Sequence, residues 1–181
     1  MSSSTSAGKQ YIKKVINGII NQNDRVLDLG CGRGTYARLI DKECYKVGVD
    51  AVDYEKRFGL SEWYNEFHIR DIRDTDFIRQ LGRFKIAIAG DVLEHLKYED
   101  ARKVLTVMEE VSEVCIVAFP YIYEQKAIGK GNWEFHEQSD LTREIIGERY
   151  PELMVIKEYK KKCAPWNGGA FYGYYIWKKG M

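Results

Sequence analysis

The chain has 181 residues, a length that suits one domain and lets it bury about 70% of the surface it exposes unfolded. Hydrophobic residues make up 45% and charged residues 30%, which excludes the disordered and fibrous classes. Lys plus Arg number 28 against 27 Asp plus Glu, so the net charge is +1 and gives no global argument for nucleic acid or a membrane surface.

The first residues, M-S-S-S-T-S-A-G-K, are small and polar and lack the apolar stretch of a secretion signal. Residues 1–8 read as a flexible tail and 9–181 as a single domain. Ile12, Val15, Ile16, Ile19 and Ile20 then fall on one face of an amphipathic helix, which N-Q-N-D at 21–24 ends. Residues 25–29 form a short buried strand. The run Gly30-Cys31-Gly32-Arg33-Gly34 follows it, and 35–41 continue as a helix. Further strands are expected at 46–50, 67–71 and 84–89, then a helix at 98–111 and a fifth strand at 114–119, ended by Pro120. Continuous apolar strands are buried on both faces, and their alternation with helices means a parallel sheet with right-handed crossovers. Beyond Pro120 come a loop at 121–138, a short helix at 139–149 stopped by Tyr150-Pro151, and two strands at 153–159 and 171–177. These last two read as an antiparallel hairpin, entered from the N-G-G turn at 167–169. No apolar run approaches the roughly 18 residues of a bilayer span. Cys31, Cys44, Cys115 and Cys163 are scattered without a C-x-x-C pair, which suggests buried free thiols and a cytoplasmic location.

The segment V-L-D-L-G-C-G-R-G-T followed by V-G-V-D carries the chemistry. Glycines at a strand end let a ligand lie against the backbone. Asp50, closing the next strand, stands where an acid accepts hydrogen bonds from both ribose hydroxyls. The dinucleotide fingerprint is G-x-G-x-x-G; here the third glycine comes one place early. Asp28 also lies in the strand itself, unwelcome to a pyrophosphate and welcome to an ammonium group.

These residues resemble the class I S-adenosylmethionine-dependent methyltransferases of small-molecule type. Asp28-Leu29-Gly30-Cys31-Gly32-Arg33-Gly34 matches the family's glycine-rich first motif, which implies cofactor contacts at Asp28, Gly30, Cys31, Gly32 and Gly34. Asp50 matches its ribose-binding acid and Ala51 the place that packs on adenine. Asp71-Ile72 matches the pair that reads the adenine edge. Gly90-Asp91-Val92-Leu93-Glu94-His95-Leu96 resembles the D-V-L-E-H-L segment after the fourth strand, placing Asp91 and Val92 on the same crevice. The resemblance implies an α/β, Rossmann-like sheet of seven strands in the order 3-2-1-4-5-7-6, the seventh antiparallel, with helices on both faces. It also implies S-adenosylmethionine as cofactor and S-adenosylhomocysteine as product.

An oxygen or nitrogen acceptor can require a base. His95 and His136 are the candidates. Each also has a structural reading, as a ring packed at a helix start and as a surface loop residue; His68, inside a strand, reads as structural. Asp91, Glu94 and His95 have metal-ligand chemistry at i, i+3 and i+4, but with no second Asp beside Asp91 and no nearby Asn, no metal is expected. The N-P-P-Y signature of enzymes that methylate nucleic-acid amines is absent, and K-E-Y-K-K-K at 157–162 reads as an edge strand protected by lysines. The expected acceptor is a small molecule, with neither nucleic acid nor a membrane as partner. The alternatives are a cofactor-binding subunit that transfers nothing and an RNA or protein acceptor. Trp133, Tyr121, Tyr123, Trp166 and Tyr172 could line the acceptor pocket or pack the last hairpin; for Tyr172 and Trp177 packing is the expectation. The chain is close to the bare fold. Its acceptor site is then completed by the N-terminal helix and the 121–138 loop, or by a partner chain, as in a homodimer. Lys9 and Tyr11 are expected to help close the cofactor crevice.

Overall fold

A computed structural model describes residues 8–123, 135–160 and 170–180. The chain runs through α1 (Lys9–Ile19), β1 (Arg25–Leu29), β2 (Tyr45–Asp50), α2 (Glu55–Phe58), β3 (Glu66–Ile69) and α3 (Thr75–Gln80). It continues through β4 (Phe84–Gly90), α4 (Tyr98–Val111), β5 (Ser112–Pro120), α5 (Arg143–Arg149), β6 (Met154–Lys160) and β7 (Ala170–Lys178). The seven strands form one sheet in the order β3-β2-β1-β4-β5-β7-β6. Strands β1 to β5 pair in parallel, and β7 is antiparallel to both β5 and β6. The order and the orientation of the last strand are those the resemblance implies.

Period-2 alternation splits the strands between two cores. Val26, Ile86, Ile88, Ile116 and Ile176 pack under α1, whose Ile12 and Ile16 are fully buried, as is Ile20 just beyond it. Leu27, Leu29, Val47, Ala87 and Val117 face the other way, onto α4 through Ala101, Val104, Leu105 and Met108. Each fully buried Ile or Leu contributes about 1.5–3 kcal/mol. Because both faces are covered, β4 is almost wholly buried, which explains its apolar run from Ile86 to Gly90.

Four local expectations change. The helix expected at 35–41 is a series of turns and one 3-10 turn, Ala37–Leu39. Gly30, Gly32 and Gly34 adopt φ of +64°, +52° and +72°, left-handed values that a right-handed helix does not contain. Asn17 of α1 then closes the segment, donating to Leu39 O at 2.8 Å and accepting from Asp41 N at 2.9 Å. Strand β3 ends at Ile69, so Asp71 lies beyond it in a turn. Helix α3 was not expected; Asp74 caps it by accepting from Phe77 N at 3.2 Å. The helix expected at 139–149 begins only at Arg143, where Thr142 accepts from Ile145 N. Gly8 is the N-cap of α1, and its backbone packs against the rings of Tyr159 and Tyr174. Strands β6 and β7 are antiparallel neighbours, as the hairpin requires. Its 167–169 turn lies outside the described residues, as do Cys163, Trp133 and Trp166. Cys31, Cys44 and Cys115 are buried free thiols. Among the described residues no helix is long and apolar enough to cross a membrane.

Candidate active site

The order β2-β1-β4-β5 means that the chain leaves β1 toward one edge of the sheet and β4 toward the other. The carboxyl ends of β1 and β4 therefore border a crevice, the usual ligand position in such sheets. The glycine loop forms one wall. Gly30 N and Cys31 N both donate to Val49 O, at 2.8 and 3.2 Å, which ties the loop to β2. Gly32 N donates to Asp50 Oδ2 at 2.8 Å and Val52 N to Oδ1 at 2.9 Å, so backbone amides orient the Asp50 carboxylate. Burial raises the Asp50 pKa, and these two N–H groups oppose the rise.

The glycines differ in purpose. A Cβ at Gly30 would stand 2.2 Å from Val92 Cγ2, so this glycine lets the chain after β4 approach β1. A Cβ at Gly32 would meet nothing nearer than Gly30 O at 3.9 Å, so the space over Gly32 is open. Gly34 faces Tyr64, whose ring would be 3.4 Å from an added Cβ.

Asp28 is 2% exposed. Its Oδ2 accepts from Tyr64 Oη at 2.5 Å, while its buried Oδ1 has no hydrogen bond. Burial pushes its pKa up to about 7, against the Tyr64 hydrogen bond and the Lys9 charge. A buried carboxylate oxygen lacking a donor fits a cationic ligand group such as the ammonium of S-adenosylmethionine. The open space over Gly32 and the held Asp50 fit the nucleoside part. Ala51 is half-buried in the bend after Asp50. The Asp71 carboxylate is held by Arg73, from Nε at 3.0 and 2.9 Å and from the backbone N at 2.9 Å. Ile72 is buried in the core beneath α4, its side chain committed to packing.

The segment after β4 forms the other wall. Asp91 has φ +57°, a left-handed backbone that a non-glycine residue holds only where its surroundings enforce it. Lys9 Nζ lies 3.8 Å from Asp91 Oδ2, donates to Tyr36 Oη at 3.0 Å and sits 4.1 Å from the Tyr36 ring centroid. Burial lowers the Lys9 pKa, and Asp91 and Asp28 pull it back up. Lys9 thus reaches the crevice. Tyr11 does not: its hydroxyl donates to Ile156 O on β6 at 3.2 Å, at the far edge of the sheet.

A 3-10 turn, Leu93–His95, places Glu94 and His95. His95 Nδ1 is 3.1 Å from Phe135 O and His136 Nδ1 is 2.9 Å from Tyr123 O. A carbonyl only accepts, so each Nδ1 carries the proton and donates. The two rings meet edge to face, with centroids 4.5 Å apart. His136 is 4% exposed, and so is not a surface residue; burial, then the neighbouring His95, lowers its pKa to about 4. Glu94 is 1% exposed, and burial raises its pKa well above the usual range. His68 is structural as expected, bonded to Glu66 and edge-on to Phe77. Tyr121 is buried against Tyr175 through a 2.6 Å hydroxyl contact, and Tyr172 belongs to the core under α1.

The methyltransferase domain model matches residues 8–111, more than half of the chain. The chain belongs to this family. It is a class I S-adenosylmethionine-dependent methyltransferase, and the matched span holds the glycine loop, Asp50 and the turn after β4. Solved structures share its fold. An S-adenosylmethionine-dependent methyltransferase from Clostridium acetobutylicum superposes with a TM-score of 0.65 at 14% identity, over 96% of this chain and 90% of that one. The Burkholderia thailandensis 1,6-didemethyltoxoflavin-N1-methyltransferase, solved with 1,6-didemethyltoxoflavin and S-adenosylhomocysteine bound, gives 0.65 at 16% identity, over 95% and 78%. The small RNA methyltransferase HEN1 gives 0.68 at 15% identity, over 100% of this chain and 26% of that one. No curated protein matches the methyltransferase in sequence.

Proposed function

We propose that this methyltransferase moves the methyl group of S-adenosylmethionine to an oxygen or nitrogen of a small-molecule acceptor. The observation that carries the cofactor half is Asp28 Oδ1, buried and without a hydrogen bond near the carboxyl end of β1, the strand that leads into the loop whose Gly32 faces open space. In this reading Asp28 accepts from the ligand's ammonium group and Asp50 from its ribose hydroxyls. Gly30, Cys31, Gly32 and Gly34 present backbone to it. Ala51 and Val92 flank the base, Asp71-Ile72 stands at the adenine edge, and Asp91 faces the crevice with Lys9. When bound, the sulfonium supplies an already activated methyl group, so the chain's main task is to hold the acceptor in line with it.

The small-molecule half is supported by the near-neutral charge and by the likeness to a methyltransferase of a small heterocycle, which this chain matches over most of both lengths. HEN1 supports an RNA acceptor less well, since this chain corresponds to only 26% of it. The acceptor face is then completed by α1 and by residues 121–123 and 135–138, the rest of that loop lying outside the described residues, or by a second chain, in the cytoplasm. A general-base role suits His136 poorly, because a ring of pKa about 4 accepts a proton weakly at neutral pH.

The test is transfer of labelled methyl from the cofactor into a fractionated cell extract. Label in the low-molecular-mass fraction is expected. Label in RNA or protein moves the acceptor to that class. Binding of S-adenosylhomocysteine with no transfer to any fraction makes the chain a cofactor-binding subunit.

A further inference from the structure

Beside the cofactor crevice, Glu94, His95 and His136 each bring one potential ligand atom to within 4.8 Å of the other two. Glu94 Oε2 is buried and has no hydrogen bond. An unsatisfied buried acceptor costs about 1–3 kcal/mol, more when charged, and a cation is a partner that removes the cost. Both imidazoles donate Nδ1–H to a backbone carbonyl, His95 to Phe135 and His136 to Tyr123. That outer bond fixes the tautomer in which Nε2 carries the lone pair, and it is the arrangement that orients a metal-ligating histidine.

Hydrogen bonds tie the segments that carry the three residues. Gln138, 4% exposed, donates its side-chain amide to Leu93 O at 3.1 Å and to Leu96 O at 3.2 Å. Its backbone N donates to Glu94 O at 3.1 Å. The segment carrying His136 is thereby fastened to the turn carrying Glu94 and His95. Asp91, which sequence spacing groups with Glu94 and His95, instead faces Lys9. His136 takes its place from a distant part of the chain, and so spacing alone shows no metal site.

We propose that Glu94, His95 and His136 bind one divalent transition-metal ion and that its remaining coordination positions take a hydroxyl oxygen of the methyl acceptor. Two nitrogens and one carboxylate oxygen suit Mn²⁺, Co²⁺ or Zn²⁺; Mg²⁺ and Ca²⁺ take sets of oxygens. Three protein ligands leave the ion open to a further donor, and an oxygen held there is acidified. The acceptor is accordingly an alcohol or phenol rather than an amine. Its O–H bond breaks with the proton passing to water, an oxygen lone pair forms the new bond to the methyl carbon, and the methyl–sulfur pair returns to sulfur, leaving a neutral thioether. The choice of acceptor rests on the methyltransferase reading; the ion site does not.

The whole chain, stripped with a chelator, is titrated with MnCl₂ in a calorimeter, and S-adenosylhomocysteine binding is measured separately. One Mn²⁺ per chain is expected. Glu94→Gln and His136→Asn should each weaken it at least about tenfold while binding S-adenosylhomocysteine like the parent chain. A parent chain that binds neither Mn²⁺ nor Co²⁺, or variants that bind as tightly as the parent, overturn the proposal. Should either variant misfold, Zn²⁺ added to the parent chain decides: shifts of the His95 and His136 ring signals in NMR are expected, and unmoved signals overturn it. If Mn²⁺ binds and S-adenosylhomocysteine gives no heat, the cofactor reading fails and the ion site stands.

Discussion

Asp28 keeps its proton in the folded protein to a pH of about 7, whereas the unfolded chain releases it near 3.8. Between those values the native state binds the extra proton, so stability falls as pH rises, and the penalty is complete above about 7. The gap is worth up to roughly 4 kcal/mol. Asp28→Asn should therefore flatten the decline, unfold at higher urea than the parent at pH 8, and match it at pH 4. The same variant should bind S-adenosylhomocysteine at least about tenfold more weakly, since the carboxylate proposed to meet the ammonium is gone. Glycine substitutions separate binding from packing. Gly32→Ala adds a methyl to open space at φ +52°, at a backbone cost of about 1–2 kcal/mol, and should lose cofactor binding while staying folded by circular dichroism. Gly90→Ala drives a methyl to 2.0 Å from the Tyr36 ring and should disrupt folding itself. Asp28, Asp50 and the three loop glycines are legible in the sequence because their spacing along the chain encodes the turn that unites them. Tyr64 and Tyr36 are not, nor is the meeting of His136 with Glu94 and His95, because each joins segments that no local pattern links.

Among the elements, the strands were the most legible, since double burial writes itself as continuous apolar runs; β1 matches its expected bounds, and α4 does too. The crossover after β1 was not, because the Asn17 contacts to Leu39 O and Asp41 N, which come from α1, hold the end of 35–41 outside a helix. Helix α3 was hidden in the charge-rich R-D-I-R-D-T-D run, where only the Asp74 cap and the buried Ile78 mark it. The element on which the histidine pair depends is the short segment 135–138, which no periodicity reveals. Gln138→Ala removes both side-chain bonds to the 93–96 turn and leaves two carbonyls beneath a new cavity. A loss of about 1–3 kcal/mol is expected. The measurement is urea unfolding, with the His95 and His136 ring signals followed in NMR. Loss of their mutual contact at unchanged cofactor affinity is the expected result, and unchanged ring signals would show that the segment is held by other contacts.

At the scale of the whole molecule, the sheet order places the crevice where β1 and β4 diverge, between a core roofed by α1 and a core roofed by α4. A ligand seated there touches the ends of β1, β2 and β4 together, so its binding energy is felt by the cooperative unit rather than by one loop. A ligand that binds only the folded state stabilises it by about 2.7 kcal/mol at 100 times its Kd. For a chain of this length 1 kcal/mol raises Tm by about 2–4 °C. S-adenosylhomocysteine at that excess should therefore raise the melting temperature by about 5–10 °C in one unsplit transition, and NAD at equal concentration should leave it in place. The Asp50→Ala variant, which lacks the carboxylate proposed to hold the ribose but keeps the cores, should melt near the parent without ligand and gain little from S-adenosylhomocysteine. A shift produced by NAD instead would mean that the early third glycine does not exclude a pyrophosphate, and the nucleoside assigned to the crevice would change with it.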